Sequence, residues 1–309
     1  MPHWIIKSAL HRVASFLPQR QALNRVFQRW SRSLELSPGM FASRVEEARL
    51  HLAHFRRHAP GAPADFTAME VGTGWYPVIP LAMYLCGARE VWTYDIEPLT
   101  TGERLRRSVE LFTGCAARGD LDTLLPGWQR ERLAVLERAV QGGAQRPPQE
   151  VLAPLGIHLR VQHAQQCGLE SGSIDLIFSS GVLMLIPRTP LEALYREFRR
   201  IARPGGVMVH RLNLRDIYSY FDRSITPLNF LRFSPSAWRW LDSAVVSQNR
   251  LRVSDHRAML QAAGFQLVDE VCESAPPETL QRLRLAPEFR GYSEADLLVI
   301  EAWFIATPA

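Results

Sequence analysis

The stretch Phe66-Thr67-Ala68-Met69-Glu70-Val71-Gly72-Thr73-Gly74-Trp75-Tyr76-Pro77 decides the fold: an apolar strand runs into a glycine turn, and a helix starts at Pro77. Glycine at 72 and 74 permits the tight turn and lets a ligand approach backbone N–H groups closely. A Gly-x-Gly alone occurs in many turns. Its context adds weight, because Asp95 closes the next apolar strand 23 residues after Gly72, where an acidic acceptor for ribose hydroxyls belongs.

Outward from this turn, apolar strands alternate with helix-like stretches. Strands are predicted at 66–71, 90–94, 157–161, 174–179, 206–212, 265–271 and 297–306, with helices at 191–202 and 254–263. This order predicts an α/β, doubly wound, mainly parallel seven-stranded sheet covered by helices on both faces. Residues 1–60 read as a basic helical extension and 61–309 as the main domain. Two segments exceed the minimal alternation, at about 104–156 and 214–252. Both are expected over the carboxyl edge of the sheet, where ligands of such sheets bind.

The ligand class follows from residue 77. A dinucleotide diphosphate wants the helix N-terminus and a third glycine, whereas Pro77 removes a backbone donor there and Tyr76 stands where that glycine would be. S-adenosylmethionine carries no phosphate, and its ammonium wants acceptors. Glu70 can serve as one, or can hold the loop, or can be a plain strand-end charge.

The stretches 69–81, the strand with Asp95, 174–186 and 202–209 together resemble the class I S-adenosylmethionine-dependent methyltransferases. Ser173-Ile174-Asp175-Leu176-Ile177 is similar to the fourth-strand motif and Arg203-Pro204-Gly205-Gly206 to the turn before the fifth strand. The resemblance covers roughly residues 65–305 and implies a Rossmann-like methyltransferase fold with S-adenosyl-L-methionine as cofactor. It implies that Glu70, Gly72, Thr73 and Gly74 line the methionine moiety, that Asp95 holds the ribose, and that His163, Ala164 and Ser180 complete the cofactor contacts. His163-Ala164 departs from the family, which often has an Asp there. The arm and the 74–77 stretch also look similar to a bacterial subgroup linked to surface-glycan gene clusters.

Methyl transfer from a sulfonium needs alignment, exclusion of water and, for a hydroxyl or amine acceptor, a base. His210, at the end of the fifth predicted strand, has a suitable ring, and Asp216 and Asp222 follow as groups that could orient it or bind a polyol. Each is equally readable as a satisfied or solvated side chain. Tyr218, Tyr220, Phe221, Phe230, Phe233, Trp238 and Trp240 could floor a sugar or form a small core. Gly181-Val182-Leu183 after Ser179-Ser180 lacks the Pro-Pro-aromatic motif that base N-methylating enzymes resemble, so a hydroxyl of a glycan or small metabolite is the expected acceptor. The competing classes are a nicotinamide-dependent oxidoreductase and a non-catalytic binding protein on the same fold.

Composition bounds the rest. A hydrophobic content of 47% over 309 residues suffices for a sizeable core. Cys86, Cys115, Cys167 and Cys272 show no paired spacing and read as reduced thiols of a cytoplasmic protein. The net charge of +5 comes from the N-terminus, since residues 1–60 hold ten Lys and Arg against three acids. Residues 1–34 lack acids altogether, a composition that also suits a transit peptide. Two amphipathic helices are expected there, and Arg25, Arg29 and Arg32 could meet anionic lipid in a peripheral membrane contact; nucleic acid is not the expected partner. A third helix at 41–58 carries His51, His54 and His58. No acid or cysteine close in sequence completes a metal set, so no metal is expected.

Overall fold

The computed structural model describes residues 35–309 apart from 144, 221 and 242–247. The two expected amphipathic helices, with Arg25, Arg29 and Arg32, lie outside the described residues, as does Phe221. Among the described residues no helix is long and apolar enough to cross a membrane.

Seven strands form one sheet: β1 (Thr67–Val71), β2 (Glu90–Asp95), β3 (Ile157–Val161), β4 (Ile174–Ser180), β5 (Ala202–Asn213), β6 (Phe265–Ser274) and β7 (Val299–Pro308). Their order is β3-β2-β1-β4-β5-β7-β6, and β7 runs antiparallel to both β5 and β6 while the other pairs are parallel. The strand order reverses between β1 and β4, the point at which such sheets open a crevice at the carboxyl edge, here beside the glycine turn. All five residues of β1 are buried, as expected for a central parallel strand covered on both faces.

Helix α1 (Pro38–His58) starts where Ser37 accepts the Met40 N–H, with Pro38 in the first turn. Arg56, Arg57 and His58 in its last turn suit the negative end of the helix dipole. Its stripe Phe41, Val45, Ala48, Leu52 and Phe55 enters the same core as α2 (Val78–Leu85) and the sheet residues Phe178 and Val209. The helix is thus part of the main core. Truncating Phe41 or Phe178 to alanine costs about 3–5 kcal/mol.

Residues 104–156 pack largely against one face of the sheet. They fold into α3 (Gly102–Arg118), α4 (Arg130–Gly142) and shorter turns, whose Val109, Phe112, Leu133 and Leu136 join α1 and α2 on one face of the sheet. Their amphipathic stripes need an apolar partner, and the face of β1–β3 provides it. On the opposite face α5 (Arg188–Ile201) and α6 (Val253–Ala262) pack over Met69, Ile177, Met208 and Phe304. The aromatic run forms a third cluster: Tyr218, Phe230 and Trp238 pack with Phe289, Leu297 and Ile300, while Tyr220 and Trp240 remain 57% and 70% exposed.

Candidate active site

Gly72 and Gly74 take φ of +91° and +69°, a backbone that L side chains rarely adopt. At Gly72 an added Cβ would also meet Val182 at 3.0 Å, so this glycine lets the loop pass close to the end of β4. At Gly74 the Cβ position faces open space. That space is a cavity lined by Thr73, Gly74, Asp95, Thr100, Leu159 and Val161, among others, with Gln149 contributed by the 104–156 segment.

Asp95 ties the loop to β2. Its Oδ2 accepts the Gly74 N–H at 2.9 Å and its Oδ1 accepts the Glu97 N–H at 3.2 Å. A carboxylate has about four acceptor positions, so two remain for a ligand diol. Thr100 donates its hydroxyl to the Gly74 carbonyl at 3.2 Å, and Arg104 reaches the Leu99 carbonyl at 2.5 Å while its guanidinium lies 4.2 Å over the Trp75 ring. The 97–100 segment is therefore clasped to the glycine turn.

Glu70 lies beneath this floor, 2% exposed. It accepts the Thr93 hydroxyl at 2.5 Å, and because that proton is used, Thr73 is the donor to the Thr93 oxygen. Burial pushes the Glu70 carboxyl up to about 8, against the lowering effect of the Thr93 bond. Through Thr93 the carboxyl is connected to Thr73 of the glycine turn. Thr93 was missed by sequence reasoning. It stands opposite Glu70 in the parallel register of β1 and β2, a pairing that no local pattern announces.

The remaining expected contacts do not gather here. Ser180 is bonded instead to His51 Nε2 of α1 at 2.9 Å. His163 is exposed at the start of a short turn, beyond the cavity wall at Val161, and Ala164 is buried in the core under α5. His210 is 1% exposed, with Nδ1 at 2.7 Å from Ser179 Oγ and its ring 5.3 Å from that of Phe198. Burial pushes its pKa down to about 3. Asp216 is fully buried and accepts from the Tyr218 N–H and the Asn229 amide, and burial raises its carboxyl to about 6. Asp222 accepts from the N–H and hydroxyl of Ser224. Neither aspartate orients His210.

A polar group that sequence reasoning did not single out occupies the carboxyl end of β5 and the adjacent amino end of β7. Arg211 makes a two-pronged pair with Glu301 at 2.9 and 2.6 Å and reaches Glu47 of α1 at 2.8 Å. Glu47 also pairs with Arg44 at 2.7 Å. Nearby, Asn213 donates to the Tyr220 hydroxyl at 2.9 Å.

A doubly wound sheet with a glycine turn and a carboxylate on the next strand is an arrangement that nucleoside-binding α/β proteins share. Residues 134–210, from α4 through β4 to His210, match the family described as a methyltransferase domain. The match covers only part of the chain, and on this sheet it makes the chain similar to class I S-adenosylmethionine-dependent methyltransferases. No curated protein matches it. Among solved structures it is similar to Haemonchus contortus phosphoethanolamine N-methyltransferase 2 in complex with S-adenosyl-L-methionine, at 15% identity and TM-score 0.44, with 84% of this chain covered. The chain spans only 52% of that enzyme's length. It is also similar to geranyl diphosphate C-methyltransferase from Streptomyces coelicolor A3(2), at 12% identity and TM-score 0.44, over 83% of this chain and 78% of that one.

Proposed function

We propose that the chain transfers the methyl group of S-adenosylmethionine to a hydroxyl of a small metabolite or glycan. The observation that carries the cofactor reading is the cavity at Gly74 and Asp95. It combines a carboxylate with free acceptor positions, apolar walls at Leu159 and Val161, and a glycine whose missing side chain leaves the space open. Asp95 and Glu97 in the cavity wall, with Arg160 also present, offer carboxylate acceptors that suit a ribose. Asp95 would hold the ribose hydroxyls. The Glu70–Thr93–Thr73 chain would keep the loop rigid so that its backbone meets the methionine end.

When bound, the cofactor supplies a methyl group on a cationic sulfur, whose departure needs no acid. The protein's part is alignment and exclusion of water. The polar edge formed by Arg211, Glu47, Glu301, Asn213 and Tyr220 stands on β5 and β7, two and three strands from β1, and suits a hydroxylated acceptor. Glu47 and Glu301, both paired with Arg211, are the carboxylates of that edge. His210 packs the opposite face, and Asp216 and Asp222 brace the loop after β5. The basic stretch 1–34 is read as a surface for anionic lipid, which sedimentation with acidic vesicles tests through its salt sensitivity.

The acceptor reading is tested by incubating the protein with methyl-labelled cofactor and fractionated cell extract. Label in a polyol or glycan fraction as an ether is the expected result. Label in protein or nucleic acid would replace this acceptor class by another.

A further inference from the structure

The three histidines of α1 part company in the fold. His51 turns inward to Ser180, whereas His54 and His58, one turn apart, face the edge strand β6 with ring centroids 6.3 Å apart and planes within 19°. Trp303 stacks on His54 at 5.7 Å and closes one side. The group that meets the pair is Asp269, whose Oδ2 lies 3.3 Å from His58 Nε2.

Asp269 reaches this face because of an irregularity in the sheet. Leu267 pairs with Ala306, but Asp269 pairs with Ile305, so Val268 is an extra residue in β6. Leu267 and Ala306 belong to the core under α5 and α6, while Ile305 belongs to the core under α1. In an uninterrupted strand, residues 267 and 269 would point the same way. The bulge reverses the alternation and delivers Asp269 to the helix.

We propose that His54, His58 and Asp269 form a three-ligand site for a divalent transition cation of the zinc type, with water in the open position. Two nitrogen or oxygen ligands on a tetrahedral zinc, each at roughly 2.0–2.1 Å, stand about 3.3 Å apart, which is the His58–Asp269 separation. The ligand atoms of all three residues lie within 4.8 Å of one another, so small side-chain rotations complete the set. Imidazole nitrogens with one carboxylate suit zinc better than the all-oxygen preference of magnesium or calcium. The other Asp269 oxygen accepts the Glu270 N–H at 2.9 Å, which orients the carboxylate, and the buried His58 Nε2 has no partner other than its contact with Asp269. Burial holds His54 below the usual histidine range and so in the neutral form that ligates. All three side chains are partly exposed, which gives the ion a path. A bound ion ties the edge strand to the end of α1, away from the cavity at Asp95.

The test is a titration of the full chain, freed of metal with chelator, with zinc chloride against a chromogenic competitor. One equivalent bound at submicromolar affinity is expected, weakened at least ~10-fold by Asp269→Asn and by His58→Gln and unchanged by His163→Gln. Melting curves of the metal-free variants that overlay the wild type establish that they fold, and zinc should raise the melting temperature of the wild type alone. Absence of stoichiometric binding, or binding that persists unchanged in both ligand variants, overturns the site and leaves His58 and Asp269 as a plain ion pair.

Discussion

The carboxyl ends of β2 and β5 both present side chains of the type that does chemistry, yet the fold treats them in opposite ways. Asp95 on β2 opens onto a cavity with acceptor positions unused, while His210 on β5 is sealed between Ser179 and the Phe198 ring. The difference is one of strand parity. On β5, Val209 and Arg211 face α1, and Met208, His210 and Leu212 face α5, so the histidine is aimed into a packed layer and the arginine toward the polar edge. A reactive residue type at a strand end is a reactant only if its face is the open one.

The largest effect that separates the two ends is expected at Asp95. Asp95→Ala should weaken cofactor binding about 10- to 150-fold, the ~1.5–3 kcal/mol typical of hydrogen bonds to a charged group, read by calorimetry. Unchanged affinity would move the ribose elsewhere. Asp216→Ala should do the reverse: it strands the Asn229 amide and the Tyr218 N–H, lowers stability by about 1–3 kcal/mol in denaturant melts, and leaves cofactor affinity alone.

Glu70 sharpens the comparison through pH. Its carboxyl is raised, so the folded chain keeps a proton that the unfolded chain gives up above about pH 4.5. This contribution to stability is full below pH 4.5 and is lost as pH rises through about 8. Glu70→Gln should therefore flatten the fall in melting temperature between pH 5 and 8.5, and identical profiles would mean that Glu70 is ionised in the fold. Gly74→Ala places a side chain at positive φ at a cost of about 1 kcal/mol, and a several-fold loss of cofactor affinity should follow. Least of all should happen at His210. His210→Gln is expected to change the methyl-transfer rate less than ~10-fold with no lost limb in the pH–rate profile. A fall of about 10²–10⁴ would make it the base after all.

Much of the sheet was legible because its strands are short apolar runs bounded by turn residues, and β3 in particular spans the predicted residues. The glycine turn, Asp95 and the Asp175 strand were readable for the same reason: each is local. What depended on distant partners was not. The seating of α1 in the main core, the facial packing of α3 and α4, the Glu70–Thr93 pairing and the bulge that turns Asp269 toward His58 are all fixed by register and tertiary contact. Residue type suggested His210, Asp216 and Asp222. Their burial depends on neighbours far along the chain.

One titration addresses the cofactor directly. Calorimetry of the full chain with S-adenosylhomocysteine should show a single site of micromolar affinity, and the same cell titrated with NAD should show none. Binding of NAD in place of S-adenosylhomocysteine, or binding of neither, would contradict the assignment of the Gly74–Asp95 cavity.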